Sequence, residues 1–179
     1  MRKTAIAAFA LVALAASVHA QFLVSARGVG YLGQDGLMPG GGIGFESAWR
    51  SFFSESTGRV SVLSIGFEFL SVPSAGGLEP GGGFVMPFEV KERFLIDERS
   101  AWVLGGGGAL VMLDAEAIDE WGYQYTDYTT GGAVYAQGGR LWLVAPQVSF
   151  GLEARAGALF AEGGPYPFLG VIAGIGLIF

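Results

Sequence analysis

Alternation of large apolar residues with small or charged residues is the feature that most limits how this chain can fold. In the segment VSFGLEARAGALF, residues 148–160, every second residue is apolar, and Ser, Gly, Glu and Arg fill most positions between them. A period of two is typical of a β-strand with one apolar and one polar face. The same pattern recurs at 43–50, 63–69, 84–91 and 169–179. The chain is therefore expected to consist of strands.

Eight such strands are predicted, at about 22–32, 41–50, 59–70, 82–96, 100–113, 131–144, 147–160 and 167–179. The segments between them are rich in Gly, Pro, Asp and Ser, which favour turns. The first, fifth and sixth strands mix small and apolar residues on both faces, so their facing stays open. Eight antiparallel strands are compatible with a soluble sandwich, a lipocalin-like barrel with an apolar interior, or a membrane barrel.

The polarity of the two faces distinguishes these folds. The charged residues of the clearer strands share a face with glycines, and Phe, Leu and Ile occupy the other face. An eight-stranded barrel has a narrow interior that suits small residues, and a sheet in a bilayer must be closed so that its backbone is fully paired. The sequence therefore predicts an all-β protein, an eight-stranded antiparallel up-and-down transmembrane β-barrel.

The first 20 residues, MRKTAIAAFALVALAASVHA, are predicted to be a cleaved secretory signal peptide. Arg2 and Lys3 precede an apolar run, and Val18 and Ala20 provide the small residues of a cleavage site. A transmembrane anchor is the alternative, but the run is short and rich in Ala, and polar Gln21 follows it. The expected organisation is a signal peptide at 1–20 and a barrel at 21–179.

The composition after residue 20 argues against several function classes. Without Arg2, Lys3 and His19, 8 basic residues remain against 16 acidic ones, with no His and no Cys. A nucleic-acid partner is not expected, because such binding depends on Lys and Arg. An enzyme is not expected either, because proton transfer at neutral pH most often uses His. No cofactor or metal site is predicted: no helix follows the GxGxxG match at 28–33, and calcium-loop spacing is absent.

Charged residues on the inner face are expected to pair across the lumen, because an unpaired charge away from water is costly. The candidate lumenal ion pairs involve Arg27, Glu46, Arg50, Glu68, Glu89, Lys91, Glu153 and Arg155. A lumen filled in this way would be a plug rather than a pore. A proton or ion path is the alternative role for the same charges.

The longest predicted connection, 114–132, is the segment whose composition suggests binding. Its candidate contact residues are Asp119, Glu120, Trp121, Tyr123, Tyr125 and Tyr128. Aromatic residues with polar tips are favoured at contact surfaces. The alternative is that these aromatics belong to the interfacial girdle of a membrane barrel and that strands five and six extend as a hairpin beyond the membrane.

In its eight alternating strands and its final Phe179, the chain resembles small bacterial outer-membrane β-barrels of the outer-membrane protein A and outer-membrane protein X type. The resemblance implies an outer-membrane location, contact with outer-membrane lipid, and handling by periplasmic chaperones and the barrel-assembly machinery. Ile175, Leu177 and Phe179 match the alternating positions of the implied assembly signal, with Leu177 where an aromatic is usual. It also implies periplasmic termini, which would place 114–132 outside the cell.

Taken together, these features predict a non-enzymatic outer-membrane barrel with a plugged, charge-paired lumen. Its acidic and aromatic loops would serve surface interaction, through an unidentified extracellular partner, or membrane integrity. A narrow channel or transporter for small solutes, resembling outer-membrane protein W, is the alternative function. Bulky ion pairs across the lumen would favour the first function, and a lined apolar channel would favour the second.

Overall fold

A computed structural model of the chain describes residues 21–33, 36–48, 58–72, 81–118, 124–161 and 164–179, with backbone alone at 115–118 and 124–128. The predicted signal peptide lies outside the described residues. So do four of the sequence-predicted site residues and one of the candidate lumenal arginines, namely Asp119, Glu120, Trp121, Tyr123 and Arg50.

The described chain forms eight strands, each paired with its neighbours in an antiparallel manner, in one closed barrel that follows chain order. The strands are β1 (Gln21–Gly33), β2 (Gly36–Ala48), β3 (Arg59–Val72), β4 (Gly81–Asp97), β5 (Ser100–Ile118), β6 (Gln124–Ala145), β7 (Val148–Ala161) and β8 (Gly164–Ile178). The predicted fold class is therefore confirmed. A search of the described residues for a helix of sufficient length and hydropathy to cross a bilayer finds none.

The barrel closes along a seam between β1 and β8. The paired residues run from Leu23 opposite Ile178 to Leu32 opposite Leu169. Beyond β8, the Phe179 N–H donates to the Phe22 carbonyl oxygen at 2.8 Å, and the Phe22 N–H donates to the Phe179 carbonyl oxygen at 3.2 Å. Over these paired residues the seam closes the sheet, as a sheet surrounded by lipid requires.

The barrel has two distinct ends. The tight turns Glu98–Arg99 and Pro146–Gln147 lie at one end, which we call the turn end, together with the start of β1 and the end of β8. The opposite end, where β1 meets β2 and β5 meets β6, is called the loop end. Every strand spans the distance between these two ends.

The strands tilt relative to the barrel axis. A path through the residues paired across successive strands starts at Arg59 and passes Phe94, Trp102, Arg140, Leu152, Ala173, Gly28 and Gly41. It returns to β3 at Phe69 rather than at Arg59. This displacement is the shear of the barrel, and the path climbs from the turn end towards the loop end as it moves from β3 to β8.

Large apolar side chains cover the outer face and form what we call the apolar belt. Its members include Phe45, Leu63, Phe69, Phe88, Trp102, Leu110, Leu152, Val171 and Ile175, all more than a third exposed. The facing that the sequence left open is also defined: Val24 of β1, Leu104 of β5 and Val134 of β6 point outwards. The large apolar residues predicted to share one face of the clearer strands lie on this outer side wherever they are described.

Glycines on the inner face make room for long side chains at several places, two of which lie within the charged part of the lumen or next to it. A Cβ atom built on Gly44 would lie 2.1 Å from Cζ of Arg27, and one on Gly170 would lie 2.7 Å from the Tyr31 ring. Any larger residue at these positions would therefore displace Arg27 or Tyr31. The prediction that glycines face a narrow interior is consistent with this packing.

The strand boundaries differ from the predicted ones at the loop end. β5 continues to Ile118 and β6 begins at Gln124, so most of the predicted 114–132 connection is paired backbone. The hydrophobic alternation ends with the apolar belt, but main-chain pairing continues past it. β-branched residues such as Thr126, Thr129 and Thr130 favour the extended conformation there. The backbone of this segment therefore agrees with the alternative prediction, in which strands five and six extend as a hairpin.

Candidate functional site: the lumenal charge network

The inner face of β4 contributes three charged residues at alternating positions, Glu89, Lys91 and Arg93. Because successive side chains of a strand point to opposite faces, a spacing of two places all three in the lumen. The other strands that contribute charges supply Arg27 from β1, Glu46 from β2, Glu68 from β3, and Glu153 and Arg155 from β7.

Glu46 is the centre of the half of the network nearer the turn end. Its Oε1 accepts hydrogen bonds from Arg27 Nη2 at 3.1 Å and from Lys91 Nζ at 3.0 Å. Its Oε2 accepts one from Arg93 Nη2. One buried carboxylate thus holds three cations from two other strands, β1 and β4.

Lys91 joins this half to the rest of the network. Its Nζ lies 3.1 Å from Oε2 of Glu89 on its own strand and 2.9 Å from Oε2 of Glu153 on β7. The Lys91 side chain is about 1% exposed, so its charge is compensated by carboxylates rather than by water.

Arg155 is the centre of the half nearer the loop end. Its Nη1 lies 3.0 Å from Oε1 of Glu68, and its Nη2 donates to Oε1 of Glu89. Its Nε donates to Oε1 of Gln137 at 3.2 Å, and its guanidinium lies over the Tyr135 ring, 4.9 Å from the centroid. The planar guanidinium thereby uses its several donors in one desolvated site.

Two tyrosines complete this half of the network. The Tyr31 hydroxyl donates to Oε2 of Glu68 at 2.5 Å and accepts a hydrogen bond from Arg155. The Tyr135 hydroxyl donates to Oε1 of Glu89 at 3.1 Å. Each carboxylate therefore has a neutral donor in addition to a cation, which lowers the cost of its burial.

The network is balanced in charge over the described lumen. Four cations, Arg27, Lys91, Arg93 and Arg155, face four carboxylates, Glu46, Glu68, Glu89 and Glu153. Removing one partner from a buried set of this kind strands the other partner, which is far costlier than losing an exposed pair. The arrangement can hold strands together across the lumen.

Apolar side chains close the lumen on both sides of the charges. Towards the loop end they form a cluster of Val29, Tyr31, Leu70, Val85, Ala109, Val111, Ala133, Tyr135 and Ile172. Towards the turn end they form a second cluster of Leu23, Ala48, Val60, Val62 and Ile178. The charged layer is thus enclosed between two apolar layers. This layering was not foreseen from the sequence.

A small cavity of about 30 Å³ lies beside Arg27, Ser25, Glu153 and Ser149. A volume of this size has room for about one water molecule. Polar groups line it, and Nη1 of Arg27 is buried without a hydrogen-bond partner in the described chain. Among the described residues, no cluster of metal-binding side chains exists. This cavity therefore offers space for hydration rather than for a substrate.

The structure brings seven of the eight candidate lumenal residues into one network, and Arg50 lies outside the described residues. Sequence reasoning missed Arg93, Tyr31 and Tyr135. One further step of the same alternation, from Lys91, would have found Arg93. The tyrosines lie on β1 and β6, where small residues on both faces hide the alternation.

The other predicted site residues lie away from this network. Ile175, Leu177 and Phe179 point outwards from the turn end of β8, with exposed fractions of 60%, 51% and 70%. The backbone of Tyr125 pairs with Ala117, and that of Tyr128 pairs with Asp114, in the β5–β6 hairpin at the loop end. The Asp114 carboxylate accepts a hydrogen bond from the Gly82 N–H at 2.6 Å, which ties β5 to β4 there.

Comparison with known proteins identifies the fold. No protein-family model and no curated protein sequence matches the chain. The solved structure of neisserial surface protein A is similar, with a TM-score of 0.61 and 12% identity over 88% of this chain and 96% of that one. The attachment invasion locus protein of Yersinia pestis is similar with a TM-score of 0.61 and 11% identity, over 89% and 97%.

A second structure of the Yersinia pestis protein, in complex with the heparin analogue sucrose octasulfate, matches with a TM-score of 0.55 and 10% identity over 89% of this chain and 97% of that one. At such identities the likeness shows the architecture. The chain has the fold of small bacterial outer-membrane barrels, and nearly all of each known barrel is covered.

Proposed function

We propose that this chain is a non-enzymatic outer-membrane barrel with a closed lumen, whose loop end forms an acidic surface for interaction outside the cell. The observation that carries the proposal is the pairing of charged side chains across the lumen beneath a continuous apolar outer face. A soluble barrel of this size would reverse that distribution and bury its large apolar residues.

The apolar belt supports location in a lipid bilayer. Side chains as large as Phe69, Trp102 and Leu110 are more than half exposed on the outer face. Soluble monomers rarely expose apolar surface that is continuous around the molecule. The similar solved proteins include a neisserial surface protein, and this likeness favours the outer membrane as the bilayer in question.

The contents of the lumen support a plug over the alternative of a narrow channel. Arg155, Lys91 and Glu68 are almost completely buried, and they contact partners on other strands. Apolar clusters lie above and below them. A solute or ion crossing the lumen would have to separate these pairs and both apolar layers.

Conductance of the purified protein in planar lipid bilayers tests the plug. We expect wild-type protein to insert without a steady conductance. The variant Arg155→Ala, which removes a side chain that spans the lumen, serves as the comparison and should show brief openings at most. A large and steady wild-type conductance would instead support the channel function.

The distribution of charge indicates what the loop end can bind. The acidic residues in or beside the four loop-end connections are Asp35, Glu79, Asp114, Glu116, Asp119, Glu120, Asp127 and Glu162, and no Lys or Arg occurs in these segments. Of the eight basic residues after position 20, seven lie in the lumen or near the turn end, and Arg50 follows β2 in the sequence, outside the described residues. The whole excess of negative charge therefore belongs to the loop end, which favours a cationic partner.

This preference separates the chain from one of its structural neighbours. The Yersinia pestis protein was crystallised with a sulfated heparin analogue, which is a polyanion. An entirely acidic loop end would repel such a ligand. We therefore propose a positively charged peptide or protein surface as the partner.

Binding of a fluorescent cationic peptide and of fluorescent heparin to cells that display the protein tests this proposal. The peptide should bind and heparin should not. The double variant Asp119→Asn, Glu120→Gln should weaken peptide binding and make the remaining binding less sensitive to salt. The matched variant Trp121→Ala, Tyr123→Ala keeps the charge and tests the aromatic contribution separately. The proposal would be contradicted if wild type bound heparin as well as the peptide, and if the charge variant bound the peptide as well as wild type does.

We also propose that the outer-membrane assembly machinery recognises the last strand, with periplasmic chaperones as earlier partners. The Phe179 ring is exposed, and its main chain alone contributes to the seam. Phe179→Ala should therefore lower the amount of protein in the outer membrane of cells. Unassisted refolding of the purified variant into detergent should be unchanged. Equal loss in both assays would indicate a purely structural role.

A further inference from the structure

An arginine on the outer face of the barrel, Arg140 of β6, lies between two tryptophans close to the turn end. Its Cζ is 5.6 Å from the ring centroid of Trp102 on β5 and 5.3 Å from that of Trp142 on its own strand. Trp142 in turn stacks on Phe150 of β7, with 5.6 Å between centroids. A cation held over two aromatic faces is fixed in direction as well as in place.

The guanidinium of Arg140 reaches towards the turn end. Arg140 pairs with Trp102 in the strand register, yet its Nη2 lies 3.5 Å from Oγ of Ser100, two residues nearer the turn. Long basic side chains at the edge of a membrane extend in this way so that the stem stays in the apolar layer and the charge reaches the interface. Trp residues are enriched at the same depth.

Arg140 forms no salt bridge with a carboxylate among the described residues. Asp97 at the end of β4 accepts hydrogen bonds from the Arg99 N–H and the Ser100 hydroxyl, each at 2.8 Å. These hydrogen bonds, with the one from the Arg99 N–H as the largest cause, lower the pKa of the exposed Asp97 carboxyl group, and the charge of Arg140 contributes to a smaller extent. Nε of Arg140 is buried without a hydrogen-bond partner in the described chain.

The same cross-strand path offers a matched arginine. Arg59 of β3 also lies over an aromatic ring, 5.6 Å from the Phe94 centroid, but its Nε donates to Oε2 of Glu92 at 2.9 Å. Arg59 is thus in direct contact with a carboxylate, whereas Arg140 interacts with the Asp97 carboxylate only at longer range. Because the path climbs from β3 to β6, Arg140 also lies deeper in the apolar belt than Arg59.

The geometry points to Arg140, Trp102 and Trp142 as a binding site for the phosphate of an anionic phospholipid in the leaflet at the turn end. A guanidinium matches the oxygens of a phosphate group in a bidentate manner, and the flanking rings can pack against the glycerol and the upper acyl chains. The position of the cation, at the edge of the apolar belt, is the depth of a lipid headgroup. This site rests on the proposed membrane location.

Quenching of tryptophan fluorescence by brominated lipids tests the site. In a Trp49→Phe, Trp121→Phe background, Trp102 and Trp142 are the remaining fluorophores of the chain's four tryptophans. The protein is reconstituted in phosphatidylcholine vesicles that contain increasing fractions of brominated phosphatidylglycerol or of brominated phosphatidylcholine. We expect phosphatidylglycerol to be preferred about fivefold at this site, as one basic residue near a membrane surface provides.

Arg140→Gln should abolish the preference for phosphatidylglycerol, and Arg59→Gln should leave it unchanged. Migration of unheated samples on a gel establishes that each variant is folded. In the parent protein, the preference should also fall as the salt concentration rises. The proposed site would be wrong if the parent and Arg140→Gln showed the same preference for phosphatidylglycerol. It would also be wrong if the preference of the parent did not change with salt concentration. Absence of quenching by either lipid would instead contradict the membrane location.

Discussion

Replacing Arg155 with methionine is the most informative perturbation of the lumen, because it removes the charge and keeps most of the side-chain volume. Arg155 compensates two carboxylates, Glu68 and Glu89. Glu89 would retain Lys91, whose Nζ is 3.1 Å away. Glu68, which is completely buried, would retain the Tyr31 hydroxyl as its partner among the described residues.

The magnitude follows from this difference between the two carboxylates. Stranding a buried charge costs about 3–5 kcal/mol of unfolding free energy, and the Glu68 carboxylate bears most of that cost in Arg155→Met. Adding Glu68→Gln removes the stranded charge and leaves three cations facing three carboxylates. The double variant should therefore be more stable than Arg155→Met alone, by about 2 kcal/mol, within the range of coupling energies for contacting residues.

Guanidinium unfolding in lipid vesicles, followed by tryptophan fluorescence, measures these free energies. The single variant Glu68→Gln completes the double-mutant cycle, and Arg59→Met, which breaks the exposed pair with Glu92, is a control in which little change is expected. If the double variant is less stable than Arg155→Met, charge balance does not govern the stability of the lumen and the reasoning is wrong.

Two other changes test the two faces of the barrel. Gly44→Ala should destabilise the barrel, because its Cβ would lie 2.1 Å from Cζ of Arg27. Gly28→Ala is the control and should not destabilise it, because the nearest contact of its Cβ would be 3.9 Å away. Thermal unfolding of both variants in detergent checks this, and equal midpoints would contradict it. Val171→Arg should cost about 2–4 kcal/mol of unfolding free energy in vesicles and Val144→Arg, next to a turn, about 0–1, because the cost of a charge facing lipid depends on depth. Equal costs would contradict lipid contact at Val171.

The sequence was sufficient for the fold wherever the two faces of a strand differ in size. On β7, Glu153 and Arg155 alternate with Leu152 and other apolar residues, so both the strand and its facing could be predicted. On β5, the run of glycines at 105–108 shows no alternation in size or polarity, so which of its residues face the lumen could not be predicted from this strand alone. The predicted strands β5 and β6 were too short at the loop end, because hydrogen bonding between their backbones continues beyond the apolar belt.

The membership of the charge network was largely predictable, but its pairing was not. Inward charges follow from alternation along a single strand. Which of them meet depends on the shear of the closed barrel and on side-chain length. The contact between Tyr31 of β1 and Glu68 of β3 crosses an intervening strand, and no spacing in the sequence encodes it. The apolar layers above and below the charges depend on the same three-dimensional closure.

The seam between β1 and β8 has a consequence for how the barrel can form. Leu23 finds its partner Ile178 only after nearly the whole chain has been arranged, because the strands that meet there are the first and last of the sheet. Contacts so distant along the chain make folding slow, and an unfinished sheet presents bare edges that invite aggregation. A half-formed barrel is therefore hazardous both in water and in lipid, and only the joining of β8 to β1 removes the two exposed edges.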